Sequence, residues 1–318
     1  MNGALLVNKH AGVSSFGIID LLQRQLMQDF QCKKRDLPKL GHGGTLDPFA
    51  TGLLVILVGR SVKLARYFLG SNKTYEGIMR FGETTIPGDP TAPITETCAH
   101  LPESLASLQE IAHRFTLQPY LQTPPMHSAK KLNGKPLYEL ARAGIEVERE
   151  PKLCHLYEFD IQSYSPPKAN FELKCSSGTY VRTLTQDLGK QLNSLALLEN
   201  LRRTCSGVFY LKDALTTDQI AEATQDGKKW EDLPCWVPFD QLLKGFDRAE
   251  ATVQEKQDIL QGKQNVLFNI LQRTRSPQIR SSSATQHIAI YCADLLVAVV
   301  RKEQERWELE RVFSELNF

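Results

Sequence analysis

Strand-like and helix-like segments follow one another in this chain without a regular strand–helix–strand rhythm, and that order limits its possible folds. Apolar and polar residues alternate from Tyr75 to Phe81, and two further alternating runs cover 153–161 and 171–175. Apolar residues with helical spacing predict helices over 105–115 and from about Thr179 onward. This mixture indicates an α+β fold with a mixed, largely antiparallel central sheet rather than a doubly wound parallel sheet.

Glycine and serine residues mark the boundaries of several more elements. A strand over 4–7 leads into Gly12, and the serine pair at 14–15 can cap a helix that carries apolar residues at 19, 22 and 26. The apolar run from Leu53 to Val58 predicts a buried strand. A short helix over 137–143 is expected to end at Gly144.

The chain has 318 residues, and single hydrophobic cores rarely grow far beyond about 250 residues. We therefore expect two domains, covering residues 1–245 and 246–318, with an acidic, tryptophan-containing boundary region around 230–238. Apolar runs over 266–271, 287–292 and 295–300 predict a small β-rich C-terminal module.

Composition excludes several classes of protein. Hydrophobic residues make up 42% of the chain and charged residues 23%, which is typical of a globular protein. The start of the chain lacks the pattern of a secretory signal, and the most apolar stretch, 52–59, is far shorter than the roughly 18 to 20 residues that span a bilayer. We expect a cytoplasmic protein with no membrane role. The seven cysteines are scattered singly, so neither a metal site nor a disulfide framework is expected.

Charge is distributed unevenly along the chain. Residues 1–80 contain 11 Lys or Arg against 5 Asp or Glu, a difference of +6, whereas residues 216–255 contain 4 against 9, a difference of −5. The N-terminal third is therefore a candidate surface for a polyanion such as nucleic acid. Charge that is simply solvated on several faces explains the counts equally well. Sequence motifs are therefore needed to distinguish the two interpretations.

A glycine-dense turn from Gly41 to Pro48 contains two candidate functional residues. In one interpretation Asp47 caps a helix whose first residue is Pro48. In the other, Asp47 presents its carboxylate to a substrate from an irregular loop. His42 is structural or exposed in the first interpretation, but an imidazole between glycines can also occupy the space of a displaced base in stacked RNA.

Arg182 lies in the first turn of the helix predicted to begin near Thr179, where a cation opposes the helix dipole at a cost of some tenths of a kcal/mol. A buried carboxylate such as Asp47, or a phosphate, would compensate that cost. The alternative is an arginine that points into water. Tyr75 is an aromatic residue at the edge of the core or a ring that packs against a base.

The segment from Gly41 to Gly52, GHGGTLDPFATG, resembles the sequence around the catalytic aspartate of the bacterial TruB family of tRNA pseudouridine synthases. Further blocks of the family follow in order between residue 4 and about residue 213: Asn8-Lys9 with Gly12 and Ser14-Ser15; Lys73-Thr74-Tyr75; Pro124-Pro125 with Ser128-Ala129-Lys130, Gly134, Tyr138, Ala141-Arg142 and Gly144; Ser177-Gly178-Thr179-Tyr180-Val181-Arg182 with Asp187-Leu188-Gly189; and Leu201-Arg202-Arg203-Thr204 with Gly207-Val208-Phe209.

The resemblance implies the pseudouridine-synthase fold, with a small C-terminal RNA-binding module of the PUA type. It also implies a substrate, uridine 55 in the TΨC loop of tRNA, which leaves its stack to be isomerised without a metal or an organic cofactor. A monomer is expected. The implied catalytic residues are Asp47, Tyr75 and Arg182. The implied RNA or substrate contacts are His42, Tyr180, Leu201, Lys130 and Arg142.

The sequence also departs from the family pattern. His10 and Gly43 replace a usual Pro and Thr, Arg60 stands where an acidic residue is common, and the loop over 84–89 lacks a Thr-Asp-Thr spacing. The altered loop makes RNA contacts there doubtful. Two rival functions stay open: a glycosidase, which needs a second carboxyl about 5–9.5 Å away, and an RNA chaperone that has lost catalysis.

Overall fold

The computed structural model describes residues 1–29, 31–128, 131–132, 134–274, 287–303 and 306–313. The chain divides into two compact units, Met1–Trp236 and Val237–Phe318. The division lies nine residues before the boundary predicted at residue 245 (245 − 236 = 9). RNA binding by the second unit stays a prediction.

The strands in chain order are β1 (Gly3–Lys9), β2 (Leu40–His42), β3 (Thr51–Val58), β4 (Lys73–Phe81), β5 (Glu83–Thr84), β6 (Glu96–Thr97), β7 (Tyr120–Gln122), β8 (Lys131–Leu132), β9 (Lys135–Pro136), β10 (Lys152–Cys154), β11 (Leu156–Ser165), β12 (Lys168–Cys175), β13 (Ala196–Ser206), β14 (Phe209–Tyr210), β15 (Trp236–Pro238), β16 (Asp247–Glu250), β17 (His287–Cys292), β18 (Leu295–Glu303) and β19 (Arg306–Val312). The α-helices are α1 (Ser15–Asp29), α2 (Ala65–Leu69), α3 (Leu105–Arg114), α4 (Leu137–Arg142), α5 (Val181–Gln191), α6 (Thr217–Gln225), α7 (Val253–Leu260) and α8 (Val266–Arg273).

The central sheet of the first unit has the strand order β11-β12-β4-β13-β3-β1-β15, with β2 paired to β3 and β14 paired to β13. Strand β13 runs parallel to β3, whereas β4, β11 and β12 form antiparallel pairs and β1 is antiparallel to β3. The predicted α+β class with a mixed, largely antiparallel sheet is therefore confirmed. Strand β3 pairs with β1, β2 and β13, so it is an interior strand of this sheet.

Burial explains why these segments form their elements. Every residue of β3 after Thr51 is buried, which matches the apolar run in the sequence. Helix α1 buries Ile18, Ile19, Leu22 and Leu26 along one face. The Gly17 N–H donates to Ser14 Oγ at 3.0 Å, a cap at the start of that helix. No described helix has the length and apolar character needed to cross a membrane.

Two boundaries differ from the sequence prediction. The run over 153–161 is split, because Leu153 belongs to β10, which pairs with β7 in a separate two-stranded sheet, whereas β11 starts at Leu156. The helix predicted from about Thr179 begins at Val181, with Tyr180 as its N-cap. Arg182 nevertheless stays in the first turn.

The second unit contains a four-stranded sheet in the order β16-β17-β18-β19, together with α7 and α8. The strand prediction for 266–271 is wrong, since these residues form α8. Leu267 and Ile270, three residues apart, are buried on one side of the helix, while Phe268 is exposed. The helical period thus explains which of these apolar residues enters the core.

Candidate active site

Asp47 lies in the loop between β2 and β3, not at the start of a helix. Its carbonyl accepts a hydrogen bond from the Ala50 N–H at 3.1 Å, which closes a turn, and β3 begins at Thr51. The helix-cap interpretation is therefore wrong. About a third of the Asp47 side chain, 34%, is exposed, so its carboxylate is accessible from solvent.

Arg182 holds this carboxylate from one side. Its Nε lies 2.9 Å from Asp47 Oδ2 and its Nη2 lies 3.4 Å from Oδ1, so two guanidinium nitrogens face the two carboxylate oxygens. The Arg182 side chain is 4% exposed. The alternative of an arginine that points into water is wrong, and the predicted ion pair is present.

Asp89 is a second partner of Arg182 that the sequence did not suggest. Arg182 Nη1 lies 3.2 Å from Asp89 Oδ2, and the Asp89 side chain is 5% exposed. The guanidinium also donates to the carbonyls of Pro87 at 2.9 Å and His127 at 2.7 Å. One buried cation therefore joins three loops around Asp47.

The loop over 84–89, which departs from the family pattern, is folded into the protein. Thr85 Oγ1 donates to the Asp89 carbonyl at 2.7 Å and accepts from the Asp89 N–H at 3.1 Å. The Thr91 N–H donates to Asp89 Oδ1 at 3.0 Å, and the Thr91 hydroxyl bonds to the same oxygen. The loop therefore supports the Arg182 guanidinium through Asp89.

Electrostatics around Asp47 act in opposite directions. Burial raises the pKa of Asp47, the Arg182 guanidinium lowers it, and the negative charge of Asp89 raises it, with a net rise above the usual 3.8. Lys9 also opposes the rise. Asp47 is thus a carboxylate that binds its proton more readily than an exposed aspartate.

Lys9 supports the Asp47 loop from β1. Its side chain is fully buried, and Nζ donates to the carbonyls of Val13 at 2.7 Å, His10 at 2.9 Å and Pro48 at 3.2 Å. Burial lowers the pKa of Lys9 to about 8, although Asp47 acts in the opposite direction. Nothing in the sequence around Lys9 indicated that its ammonium group would bind the carbonyl of Pro48, the residue after Asp47.

Tyr75 and Leu201 lie on neighbouring strands of the central sheet. Tyr75, on β4, is directly opposite Arg203 of β13, and Leu201 is opposite Gly77. The side chains of Tyr75 and Leu201 are 8% and 6% exposed. Burial raises the pKa of the Tyr75 hydroxyl, and the positive charge of Arg203 opposes that rise.

Tyr180 is fixed by the side chain of Gln122. The Tyr180 N–H donates to Gln122 Oε1 at 2.7 Å, and Gln122 Nε2 donates back to the Tyr180 carbonyl at 3.0 Å. Burial raises the pKa of the Tyr180 hydroxyl, and the nearby charge of Asp47 contributes to the rise. Gln122 was not predicted as a site residue, because nothing in its sequence surroundings indicates a contact with Tyr180.

His42 is the last residue of β2 and lies opposite Ile56 of β3. Its Nδ1 is buried and has no hydrogen-bond partner among the described residues. Burial and then the charge of Arg203 lower the pKa of His42 below 6.5. His42 is therefore a neutral ring near neutral pH.

The structure brings Asp47, Tyr180 and Arg182 into one site. Lys130 lies outside the described residues, and Arg142, the last residue of α4, has a side chain outside the description. Within the described residues, no group of three His, Cys, Asp or Glu side chains could hold a metal ion.

Comparison with known proteins identifies the family. The model of the TruB family pseudouridylate synthase N-terminal domain matches residues 30–181, a range that contains Asp47 and Tyr75. The tRNA pseudouridine synthase B of Bordetella parapertussis is 41% identical over 233 residues, which cover 72% of this chain and 90% of that protein. This chain belongs to the TruB family.

Other TruB-family relatives match to a similar extent. The tRNA pseudouridine synthase B of Opitutus terrae is 39% identical over 220 residues, covering 69% of this chain and 87% of that protein. The protein of the same name from an Azoarcus species is 36% identical over 269 residues, covering 83% of each chain. The resemblance stated from the sequence motifs is thus confirmed.

Solved structures extend the likeness to the fold of the whole TruB-family chain. A chain in a Cbf5-Nop10-Gar1 complex aligns with a TM-score of 0.68 at 18% identity and covers 98% of this chain and 85% of that one. A chain of an H/ACA RNP bound to a substrate RNA containing 2'-deoxyuridine aligns with a TM-score of 0.66 at 17% identity, covering 98% and 85%. The pseudouridine-synthase fold is therefore confirmed.

Proposed function

We propose that this TruB-family protein is a tRNA pseudouridine synthase that converts uridine 55 of the TΨC loop to pseudouridine, with Asp47 as its catalytic carboxylate. The observation that carries the proposal is the geometry of Asp47, a partly exposed carboxylate held at 2.9 Å by the buried guanidinium of Arg182. The relatives that share most of this chain are named tRNA pseudouridine synthase B, which supports the substrate class.

The reaction rearranges one nucleotide without adding or removing atoms. The target uridine leaves its stack, which costs a few kcal/mol that contacts to the RNA fold supply. The bond from the sugar C1' to uracil N1 breaks, the base turns, and C1' bonds to C5. C5 loses its proton and N1 gains one, so atoms balance. Asp47 begins this sequence either by attack as a nucleophile or by abstraction of a sugar proton.

The neighbours of Asp47 have supporting roles in this proposal. Arg182 orients the carboxylate and favours its ionised form. Tyr75 packs against the extruded uracil, and Tyr180 and Leu201 form the wall of the pocket. The neutral His42 ring takes the space that the base leaves, a role that requires stacking and no proton transfer.

The remaining assignments concern contacts with the rest of the RNA. We assign Lys130 and Arg142 to the phosphate backbone on the basis of the family resemblance, and the C-terminal unit to RNA binding. No step in this scheme oxidises or reduces an atom, so the proposal includes neither a metal nor an organic cofactor.

The glycosidase alternative needs a second carboxyl that can reach the substrate. Asp89 is the other carboxylate on Arg182, but its Oδ2 faces the guanidinium, its Oδ1 accepts from Thr91, and its side chain is 5% exposed. Such a carboxylate supports Arg182 and cannot act as an acid or base on a sugar. The geometry therefore favours isomerisation over hydrolysis.

Replacement of Asp47 by Asn tests the proposal. Asn has nearly the same shape but no charge, so we expect Asp47→Asn to fold and to bind tRNA while it forms no pseudouridine. Tritium release from tRNA labelled at uridine C5 measures turnover, and a tRNA with cytidine at position 55 tests the site. The exposed Asp36→Asn serves as the control and should keep wild-type activity.

Turnover of Asp47→Asn within about tenfold of wild type, a barrier change of only about 1.4 kcal/mol, would remove Asp47 as the catalytic residue. A wild-type protein that binds tRNA but releases no tritium would favour the RNA-chaperone alternative. Release that persists with the cytidine-55 tRNA would contradict the proposed target position.

A further inference from the structure

Arg203 is a buried cation that donates hydrogen bonds to three main-chain carbonyls. Its side chain is 2% exposed, and Nε donates to the Leu53 carbonyl at 2.8 Å, Nη2 to the Gly44 carbonyl at 3.0 Å and Nη1 to the Thr45 carbonyl at 3.3 Å. Among the described residues no carboxylate forms an ion pair with it, in contrast to Arg182. These hydrogen bonds hold the main chain instead.

The three acceptors lie at the two ends of the segment that carries Asp47. Gly44 and Thr45 precede Asp47 by three and two residues, and Leu53 is in the strand that follows. One planar guanidinium thus fixes the distance between the start and the end of this segment. A lysine ammonium is a single point charge and cannot span acceptors arranged around a fork in this way.

The backbone of β13 also contacts this segment, at Gly52. Arg203 is the parallel partner of Gly52, and a Cβ built on Gly52 would lie 2.4 Å from the Arg203 carbonyl oxygen. Arg203 is also the cross-strand partner of Tyr75 on β4. One residue therefore contacts the Asp47 segment on one side and the strand of Tyr75 on the other.

The positive charge of Arg203 also affects the pKa values of residues around it. It lowers the pKa values of His42 and Lys9, in each case in addition to the larger effect of burial. The titration of His42 is therefore a readout of the neighbouring positive charge that does not depend on activity.

We propose that Arg203 is a positioning residue for the isomerisation. It holds the Gly44–Leu53 segment in place and thereby fixes the position of Asp47 relative to Tyr75, and it does not contact the substrate. This inference rests on the proposed function, because it assigns Arg203 to the reaction of that site. Misplacing a reacting group by about 1 Å can cost about 100-fold in rate, whereas RNA affinity comes from a much larger surface. Loss of Arg203 should therefore affect the chemical step far more than binding.

The test compares Arg203→Lys and Arg203→Met with Arg202→Met. Arg202 is the preceding residue on β13 and is exposed, so it is a matched control for loss of an arginine. Single-turnover rates at saturating enzyme, tRNA dissociation constants and thermal midpoints are measured for each variant. We expect Arg203→Lys to slow the single-turnover rate by about 30-fold or more, with a dissociation constant within about threefold of wild type.

An NMR titration of His42 adds a readout that a general loss of stability would not produce. Removal of the neighbouring positive charge should raise the pKa of His42 in Arg203→Met and leave it unchanged in Arg202→Met. Rates within about threefold of wild type for both Arg203 variants would overturn the inference. So would equal losses of rate and tRNA affinity, or failure of both variants to fold, since Arg203 would then serve binding or stability. Inactivity of the wild-type protein would contradict the proposed function instead.

Discussion

At the scale of single residues, the site consists of charged groups that are buried unequally. Asp47 is partly exposed, while its partner Arg182 is buried and has its remaining donors occupied by carbonyls and by Asp89. The carboxylate can therefore reach a substrate while its orientation is fixed from behind. Rigid support of this kind lets a reacting group approach its substrate in a single geometry.

The raised pKa of Asp47 leads to a prediction about pH. If the ionised carboxylate is the reactive form, the single-turnover rate should fall as pH decreases through a pKa above 3.8, the ordinary value for aspartate. The free energy of unfolding should change in the opposite sense, falling as pH rises from 3.8 through that raised pKa, because the folded state keeps the proton longer.

Rates measured at saturating enzyme between about pH 4 and about pH 8 check this prediction. His42→Ala is the control, since His42 also titrates in the acidic range but is assigned no proton transfer. The acid limb should persist in His42→Ala. Its loss there would show that His42, rather than Asp47, controls the profile.

The Arg182–Asp47 pair could be predicted from sequence because a cation in the first turn of a helix opposes the helix dipole, which favours an anion nearby. Asp89, Lys9 and Arg203 could not. Lys9 and Arg203 bind main-chain carbonyls, which every residue possesses and no sequence motif marks. Asp89 meets Arg182 only through the folding of the 84–89 loop, and the sequence of that loop does not follow the family pattern.

At the scale of elements, regular alternation made β4 and β12 predictable, whereas β13 was missed. Strand β13 has register shifts between Leu198 and Asn200 and between Arg203 and Cys205, so buried and exposed residues alternate only in its middle part. The same irregular strand provides Leu201 and Arg203 to the site. Helix α8 was mistaken for a strand because a short apolar run does not by itself distinguish the two.

The close contact between β3 and β13 gives a prediction for Gly52→Ala. Gly52 has φ of +98°, and a Cβ there would lie 2.4 Å from the Arg203 carbonyl oxygen. The strands must separate to accept it, so we expect the free energy of unfolding to fall by about 2–4 kcal/mol. Urea denaturation followed by circular dichroism measures the change.

Gly12→Ala is the matched control for that substitution. Gly12 has φ of +88° but nothing within 4 Å of a built Cβ, so it carries the backbone strain without the clash. We expect it to cost only about 1 kcal/mol. Equal losses for the two variants would mean that the strand contact at Gly52 is unimportant for stability.

At the scale of the whole molecule, Asp47, Tyr75, Tyr180, Arg182 and Leu201 all belong to the unit Met1–Trp236. The second unit has its own core, in which Ile259, Ile270 and Ile290 are fully buried. Chemistry and additional RNA binding can therefore reside in separate units. The monomeric state and the cytoplasmic location stay predictions from the sequence.

This division predicts the effect of removing residues 239–318, which leaves β15 in place. The truncated protein should bind tRNA more weakly but retain its single-turnover rate at saturating concentration. Binding of both forms should weaken as salt rises if, as proposed, cationic side chains contact phosphates. A folded truncated protein without activity at saturating tRNA would show that the second unit contributes to the chemistry.

The contacts of Arg182 and Arg203 also bear on the stage of folding at which the reaction centre forms. Those of Arg182 join residues that are 135, 95 and 55 positions apart in the chain, and those of Arg203 span 150 to 159 positions. We expect contacts between such distant residues to form late, because closing long loops costs entropy before the contacts stabilise the chain. A chain that had formed only its helices and hairpins would lack an assembled centre, so we expect unfinished molecules to leave RNA unmodified.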